Sequence, residues 1–247
     1  MALPIVLEFA LMNRSIKDTL LLPSKSDPER ARVADAFSSG GGRVVRLDRF
    51  WEPPDLGDAR VAVYGNDTFC LVLSQVLGLE LVSPREEILL ELPREWLNRE
   101  LGASDLGGLR GEMFPCFAKP LTPKLFAARV YEELDELRRE TRGLERSSPI
   151  YHAEVVSFEC EVRAFICDGE VCDFAVYQGS VKAGDTPLGF IEEVIESDVW
   201  PDTYVLDVGY VEDRGWCVIE ANASWGAGLN GCRAELVLPA ILAATVT

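Results

Sequence analysis

Tyr204-Val205-Leu206-Asp207-Val208-Gly209-Tyr210, then Trp216-Cys217-Val218-Ile219-Glu220-Ala221-Asn222, then the glycine-rich Ser224-Trp225-Gly226-Ala227-Gly228-Leu229-Asn230-Gly231 decide how this chain is read. Both arms alternate with the period of a strand, and Glu212-Asp213-Arg214-Gly215 between them is turn chemistry, so the stretch reads as a β-hairpin. A loop of two or four residues places Asp207 opposite Glu220, with Asn222 on the same face. A three-residue loop with a bulge at Gly215 would shift the pairing by one. The division of Leu206, Val208, Ile219 and Ala221 onto the other face argues against that shift, because a one-residue slip inverts every side chain.

Opposed carboxylates with Cβ atoms roughly 5 Å apart repel each other unless a cation lies between them. A hard divalent ion such as Mg2+ takes one or two carboxylates and fills its remaining positions with water and phosphate oxygens. Asp207, Glu220 and Asn222 supply such a set; the alternative is a half-buried hairpin with two solvated acids and an asparagine leading into a loop.

Length and composition set the frame around this hairpin. With 247 residues and 48% hydrophobic side chains, the chain can build one large or two modest globular cores. Its 41 acidic against 24 basic residues give a formal charge of -17, which opposes bulk binding to nucleic acid. Seven cysteines without paired spacing point to a reducing, cytoplasmic setting rather than to a disulfide framework or a zinc site. The apolar N-terminus lacks a basic leader, and the apolar run from Leu236 to Val246 is too short for a bilayer, so no membrane association is expected.

The first part alternates strand and helix. Pro4 to Ala10, Thr19 to Leu22, Arg43 to Leu47 and Arg60 to Tyr64 are strand-like; helices are expected from Asp27-Pro28-Glu29 to Gly40 and from Asp67 to Leu77. This predicts a small α/β domain over residues 1–90 with a parallel sheet. A helix opens at Glu91-Leu92-Pro93, and Gly102 to Gly111 reads as a linker. Beyond it come a strand from Met113 to Lys119, a helix from Pro123 to Glu140, and strands over Ala153–Phe158, Glu161–Cys167 and Glu170–Tyr177, with Asp168-Gly169 as a hairpin turn. A terminal helix follows from about Ala234, so residues 91–247 read as an α+β unit on largely antiparallel strands.

Taken singly, the charged residues along these elements are weak signals. Lys119 ends a strand before Pro120, and Lys124 follows; each suits a phosphate but equally a solvated surface. Glu154-Val155-Val156-Ser157 and Glu161 could present a backbone edge and a carboxylate to a nucleoside, or could be an amphipathic strand pair. Their order is more telling. Phe117-Ala118-Lys119-Pro120 with Lys124, then Glu161-Val162-Arg163-Ala164-Phe165, Asp207, Glu220-Ala221-Asn222 and Gly228-Leu229-Asn230-Gly231 resemble the ATP-grasp superfamily. The likeness is strongest to its small bacterial and phage-associated clade of poorly defined substrate, and covers about residues 90 to 247; residues 1–90 resemble the small domain that precedes ATP-grasp units.

That resemblance implies an α+β ATP-grasp fold with mixed and antiparallel sheets, and an ADP-forming, ATP- and Mg2+-dependent carboxylate–amine ligase, Mn2+ being a possible substitute. It implies that Lys119 and Lys124 contact phosphates, that Glu154 and the backbone of Val155, Val156 and Ser157 line the adenine, and that Glu161 meets the ribose. Asp207, Glu220 and Asn222 would hold the metal, and Arg163, with Lys182 as a second candidate, would neutralise charge on the transferring phosphoryl group. The substrates would be a carboxylate and an amine, on a small molecule, peptide, protein terminus or amino acid. Other readings are a nucleotide-binding adaptor without turnover and a phosphotransferase to a non-carboxylate acceptor. Thr141 to Pro149 is the one candidate for a phosphate lid, a plain polar loop being the alternative, and the backbone of Gly226 to Gly231 either holds acyl oxygens or simply turns toward the last helix.

Overall fold

In the computed structural model, which describes residues 17–25, 27–122, 124–181 and 186–246, strands β1 (Thr19–Pro23), β2 (Arg43–Leu47) and β3 (Val61–Val63) form a parallel sheet in the order β2-β1-β3. Leu20, Leu21 and Leu22 of the central strand are wholly buried, as a strand covered on both faces requires. Helix α1 (Pro28–Ser39) begins where the Asp27 carboxylate accepts from the backbone N–H groups of Glu29 and Arg30, at 3.0 and 2.9 Å. Helix α2 (Asp67–Leu77) starts on Asn66 in the same way and stops at Gly78, φ 67°. The strand expected over Pro4–Ala10 lies outside the described residues.

After the short β4 (Glu80–Leu81) and the single-turn helix α3 (Arg94–Leu97), strands β5 (Leu101–Asp105), β6 (Cys116–Pro120), β7 (Arg129–Tyr131) and β8 (Pro149–Ala153) pair antiparallel in the order β5-β8-β6-β7, with α4 (Leu134–Glu140) beside them. A second antiparallel sheet, in the order β10-β9-β11-β12, contains β9 (Phe158–Cys167), β10 (Glu170–Gly179), β11 (Thr203–Val211) and β12 (Gly215–Asn222). Helix α5 (Leu188–Ile195) packs its Ile191 and Val194 into the core on one face of this sheet, among Cys160, Val162, Ala164 and Ile166 of β9. On the other face, Val237 and Ile241 of α6 (Ala234–Ala243) share a core with Leu20, Val33 and Phe37 from the start of the chain and Phe165 and Val205 from the sheet. Strand β13 (Thr245–Val246) then pairs with β4.

Several expectations need correction. The helix expected over Pro123–Glu140 exists only as α4; upstream, Arg129–Tyr131 pairs with β6, buries Tyr131 completely, and lets Arg129 bridge to Glu136 and Glu140 on α4. The expected strand Ala153–Phe158 is divided, because β8 ends at Ala153 and residues 154–157 carry the chain from one antiparallel sheet to the other. Gly102–Gly111 is not simply a linker: Leu101–Asp105 is edge strand β5. The helix expected from Glu91 is a 3-10 turn, Ile88–Glu91, and then the single turn α3, divided at Leu92-Pro93.

The hairpin reaches the expected pairing by an unexpected route. Its turn has three residues, Glu212 to Arg214, closing Val211 against Gly215, with Asp213 and Gly215 at φ 63° and 89°. A bulge at Ile219 then restores the register, so that Asp207 faces Glu220 and Leu206 faces Ala221. Ile219 consequently leaves the core face and lines the cavity described next.

Candidate functional site

Odd-numbered residues of β9 point away from the core formed by Cys160, Val162, Ala164 and Ile166, which puts Glu161 and Arg163 on the sheet's open face. Strand pairing aligns Arg163 with Asp207 and Asp207 with Glu220, a row of charges across three strands, and Asn222 follows on β12. Arg163 grips Asp207 with both ends of its fork, Nε to Oδ1 at 2.8 Å and Nη2 to Oδ2 at 2.6 Å, while Nη1 donates to the Gly228 carbonyl at 3.0 Å. The Asn222 amide lies between the carboxylates, donating to Glu220 Oε1 at 2.9 Å and reaching Asp207 Oδ2 at 3.5 Å. From the facing sheet, Lys119 of β6 comes to 3.3 Å from Glu220 Oε2.

These groups border a cavity of about 860 Å³ between the two antiparallel sheets. Phe117, Ala153, Val155, Val156, Phe158 and Ile219 give it an apolar portion; Lys119, Arg163, Glu220 and Asn222 give it a charged one. Such a division suits a ligand with a flat apolar head and an anionic tail.

Charge balance explains why the row is stable without a ligand. Asp207 is 1% exposed; burial pushes its carboxyl pKa up, and the Arg163 hydrogen bonds oppose that rise. For Arg163 burial acts to lower the pKa, but its bonds and proximity to Asp207 raise it overall. Glu154 lies beside the apolar portion and pairs with Arg214 at 2.7 Å; that bond and the Glu100 N–H hold its carboxyl at about 2. Burial raises the Glu86 carboxyl on the cavity wall, partly offset by Lys119.

The expected site residues are only partly brought together. Lys119, Lys124, Glu154, Val155, Val156, Arg163, Glu220 and Asn222 all line the cavity. Ser157 and Asp207 are not among its lining residues; Asp207 lies beneath Arg163. Glu161 accepts from the Tyr177 hydroxyl at 2.6 Å, on the same face as Arg163. Lys124 reaches Asp67 at 2.7 Å, bridging the loop after β6 to the start of α2. Lys182 lies outside the described residues. Glu220 and Asn222 offer oxygens suited to a hard divalent cation, whereas both Asp207 oxygens accept from Arg163. Among the described residues there is no group of three or more His, Cys, Asp or Glu able to hold a metal, so a cation here would use one or two carboxylates and an amide.

The segment after Lys119 needs a different assignment from Thr141–Pro149. That stretch packs along β5, where Leu106 N–H and Gly107 N–H donate to the Ser148 and Arg146 carbonyls. Lys124, Phe126 and Ala128 of the β6–β7 connection face the cavity instead. This connection has no glycine, and Lys124 itself takes the left-handed conformation at φ 66°. Asp67 and Glu86 on the wall were also missed, since they come from elements far from the hairpin in sequence. The N–H groups of Leu229 and Asn230 in the glycine-rich loop are occupied by the Glu29 carboxylate.

The fold matches the RimK domain protein ATP-grasp from Sphaerobacter thermophilus DSM 20745 with a TM-score of 0.58 at 14% identity, over 91% of this chain and 99% of that one. It matches the macrocyclase MdnC from Microcystis aeruginosa MRC, bound with precursor peptide MdnA, with a TM-score of 0.57 at 12% identity, over 91% and 99%. The ATP-grasp ligase PsnB, complexed with minimal precursor, Mg and ADP, gives 0.54 at 16% identity, over 90% and 94%. No curated protein matches the chain. Residues 96–240, more than half of the chain, match the model of an ATP-grasp domain family, family 2 of its clade, and the chain belongs to that ATP-grasp family.

Proposed function

We propose that this protein is an ADP-forming carboxylate–amine ligase that uses ATP and Mg2+ and proceeds through an acyl phosphate. The carrying observation is the convergence of Lys119, Arg163, Glu220 and Asn222 on one cavity between two antiparallel sheets. The purine would occupy the apolar portion beside Val155 and Phe158, with the phosphates directed toward Lys119 and Arg163. Glu161 remains the candidate for the sugar hydroxyls and Lys124 for a second phosphate contact. Glu220 and Asn222, with Asp207, would hold Mg2+, which supplies charge neutralisation on the phosphates when bound; Mn2+ satisfies the same oxygen donors.

Asp207 and Gly228 engage Nε–H and one hydrogen on each terminal nitrogen of Arg163, which leaves the second hydrogen on each terminal nitrogen for phosphate oxygens. In the first step a substrate carboxylate oxygen bonds to the γ-phosphorus and ADP departs. In the second, an amine bonds to the acyl carbon, loses a proton, and releases inorganic phosphate. Both steps ask the protein for positioning and charge neutralisation rather than a covalent nucleophile. The association of MdnC and PsnB with precursor peptides supports a peptide or protein terminus as the carboxylate or amine donor. No helix among the described residues is long and apolar enough to cross a membrane, which accords with the cytoplasmic setting proposed from the cysteines.

The test is Glu220→Gln, which removes a formal carboxylate while keeping the side chain's size. ADP release across a screen of carboxylates and amines should fall at least about a hundredfold, as expected when about 3 kcal/mol of charge stabilisation is lost, with the circular dichroism spectrum unchanged. Unaltered turnover in this variant would remove Glu220 from the proposed machinery. Trapping the intermediate with hydroxylamine distinguishes an acyl phosphate from transfer to a non-carboxylate acceptor.

A further inference from the structure

Glu29 lies in the first turn of α1 and is not among the cavity-lining residues, yet its carboxylate is fully engaged with the glycine-rich loop. Oε2 accepts from the Leu229 N–H at 2.8 Å and Oε1 from the Asn230 N–H at 3.0 Å. A Cβ at residue 228 would stand 2.7 Å from Glu29 Oε2, so the absence of a side chain on Gly228 is what admits the carboxylate. The Gly228 carbonyl, next along the chain, accepts from Arg163 Nη1 at 3.0 Å. The other visible partner of Glu29 is Arg32 at 3.6 Å, a pair with a 54% exposed arginine and therefore too weak to fix the carboxylate. Tyr64 holds the same loop from the same side, its hydroxyl donating to the Ala227 carbonyl at 2.8 Å.

We propose that Glu29 is a positioning residue for Arg163. It holds residues 228–230 so that the Gly228 carbonyl fixes the guanidinium plane, directing the remaining N–H groups toward the γ-phosphate. The inference rests on the reading of the cavity as an ATP site, and it makes the first helix of the chain part of the phosphate-binding apparatus without touching the nucleotide.

Calorimetric titration with the ATP analogue AMPPNP and with ADP, each with Mg2+, tests it in the full chain. The Glu29→Gln side chain can accept from only one of the two N–H groups and points a donor at the other. AMPPNP affinity should fall about tenfold, the scale of one charge-assisted hydrogen bond, while ADP affinity stays within about twofold. Arg163→Ala should show the same selective loss, and the double variant should be no weaker than Arg163→Ala alone. An equal loss for both nucleotides, or no loss, overturns the proposal. If Glu29→Gln does not fold, Gly228→Ala decides the matter, because its methyl displaces the carboxylate from the loop side and should reproduce the loss of AMPPNP preference. If the unaltered protein binds neither nucleotide, the ATP-site reading falls and this inference with it. If it binds both but Arg163→Ala keeps the preference for AMPPNP, the ATP site stands and the role given to Glu29 fails.

Discussion

Glu154 shows how one side chain can serve a site without meeting its ligand. It lies at the crossing between the two antiparallel sheets and fastens that crossing to β12 through Arg214 and to the segment before β5 through the Glu100 N–H. Its carboxyl is held at about 2, below the ordinary 4.5. A carboxylate depressed by folding stabilises the folded state fully above the ordinary value, and that contribution disappears as pH falls through the folded value. The melting-temperature difference between wild type and Glu154→Gln should therefore be constant from neutrality to about pH 5 and shrink toward zero near pH 2. A difference that does not change over that range would detach Glu154 from acid stability. The sequence supplied the identity of this residue and of Lys119, Arg163, Glu220 and Asn222, because strand periodicity and order along the chain suffice to bring them together. It did not reveal Glu29, whose partners lie about two hundred residues away in a loop with no periodicity.

At the scale of elements, the parts that eluded sequence reading are those whose local signals contradict their pairing. The β6–β7 connection has no glycine, and Ala127, Ala128 and the charged residues after Tyr131 carry helical propensity, so the extended Arg129–Tyr131 is visible only once β6 is there to pair with it. The hairpin is the opposite case: its facing residues were legible although the turn length was not, because the bulge at Ile219 compensates the odd turn. Arg99 holds that bulge, donating to the Val218 carbonyl at 2.7 Å and the Ile219 carbonyl at 3.2 Å. Strand β5 was read as a linker because of Gly102, yet the glycine is required by pairing: a Cβ there would lie 2.8 Å from Cε1 of His152 on β8. Gly102→Ala should destabilise the protein by about 1–3 kcal/mol through overpacking, measured by urea denaturation. Adding His152→Ala should restore most of the loss; failure to do so would place the cost elsewhere in the strand.

For the molecule as a whole, the end of the described chain is bound into its beginning. Helix α6 completes the core around β1 and α1, β13 pairs with β4, and Thr245 Oγ1 accepts from the Val63 N–H at 3.1 Å. Thr245→Val keeps the shape but leaves that buried N–H without its acceptor, which should cost about 1–3 kcal/mol. Because the core is shared, a single loss of near-ultraviolet and far-ultraviolet circular dichroism is expected on heating, shifted as one transition; two separated transitions would show that the regions fold independently. A different consequence follows from the Arg163–Asp207 pair. The guanidinium is a tethered counter-ion, so the buried acid is neutralised by the polypeptide itself rather than by whatever the medium provides. Folding should therefore be indifferent to chelators: EDTA should leave the melting temperature of the nucleotide-free protein unchanged, and purification without magnesium should yield material that regains full nucleotide affinity when the ion is added back.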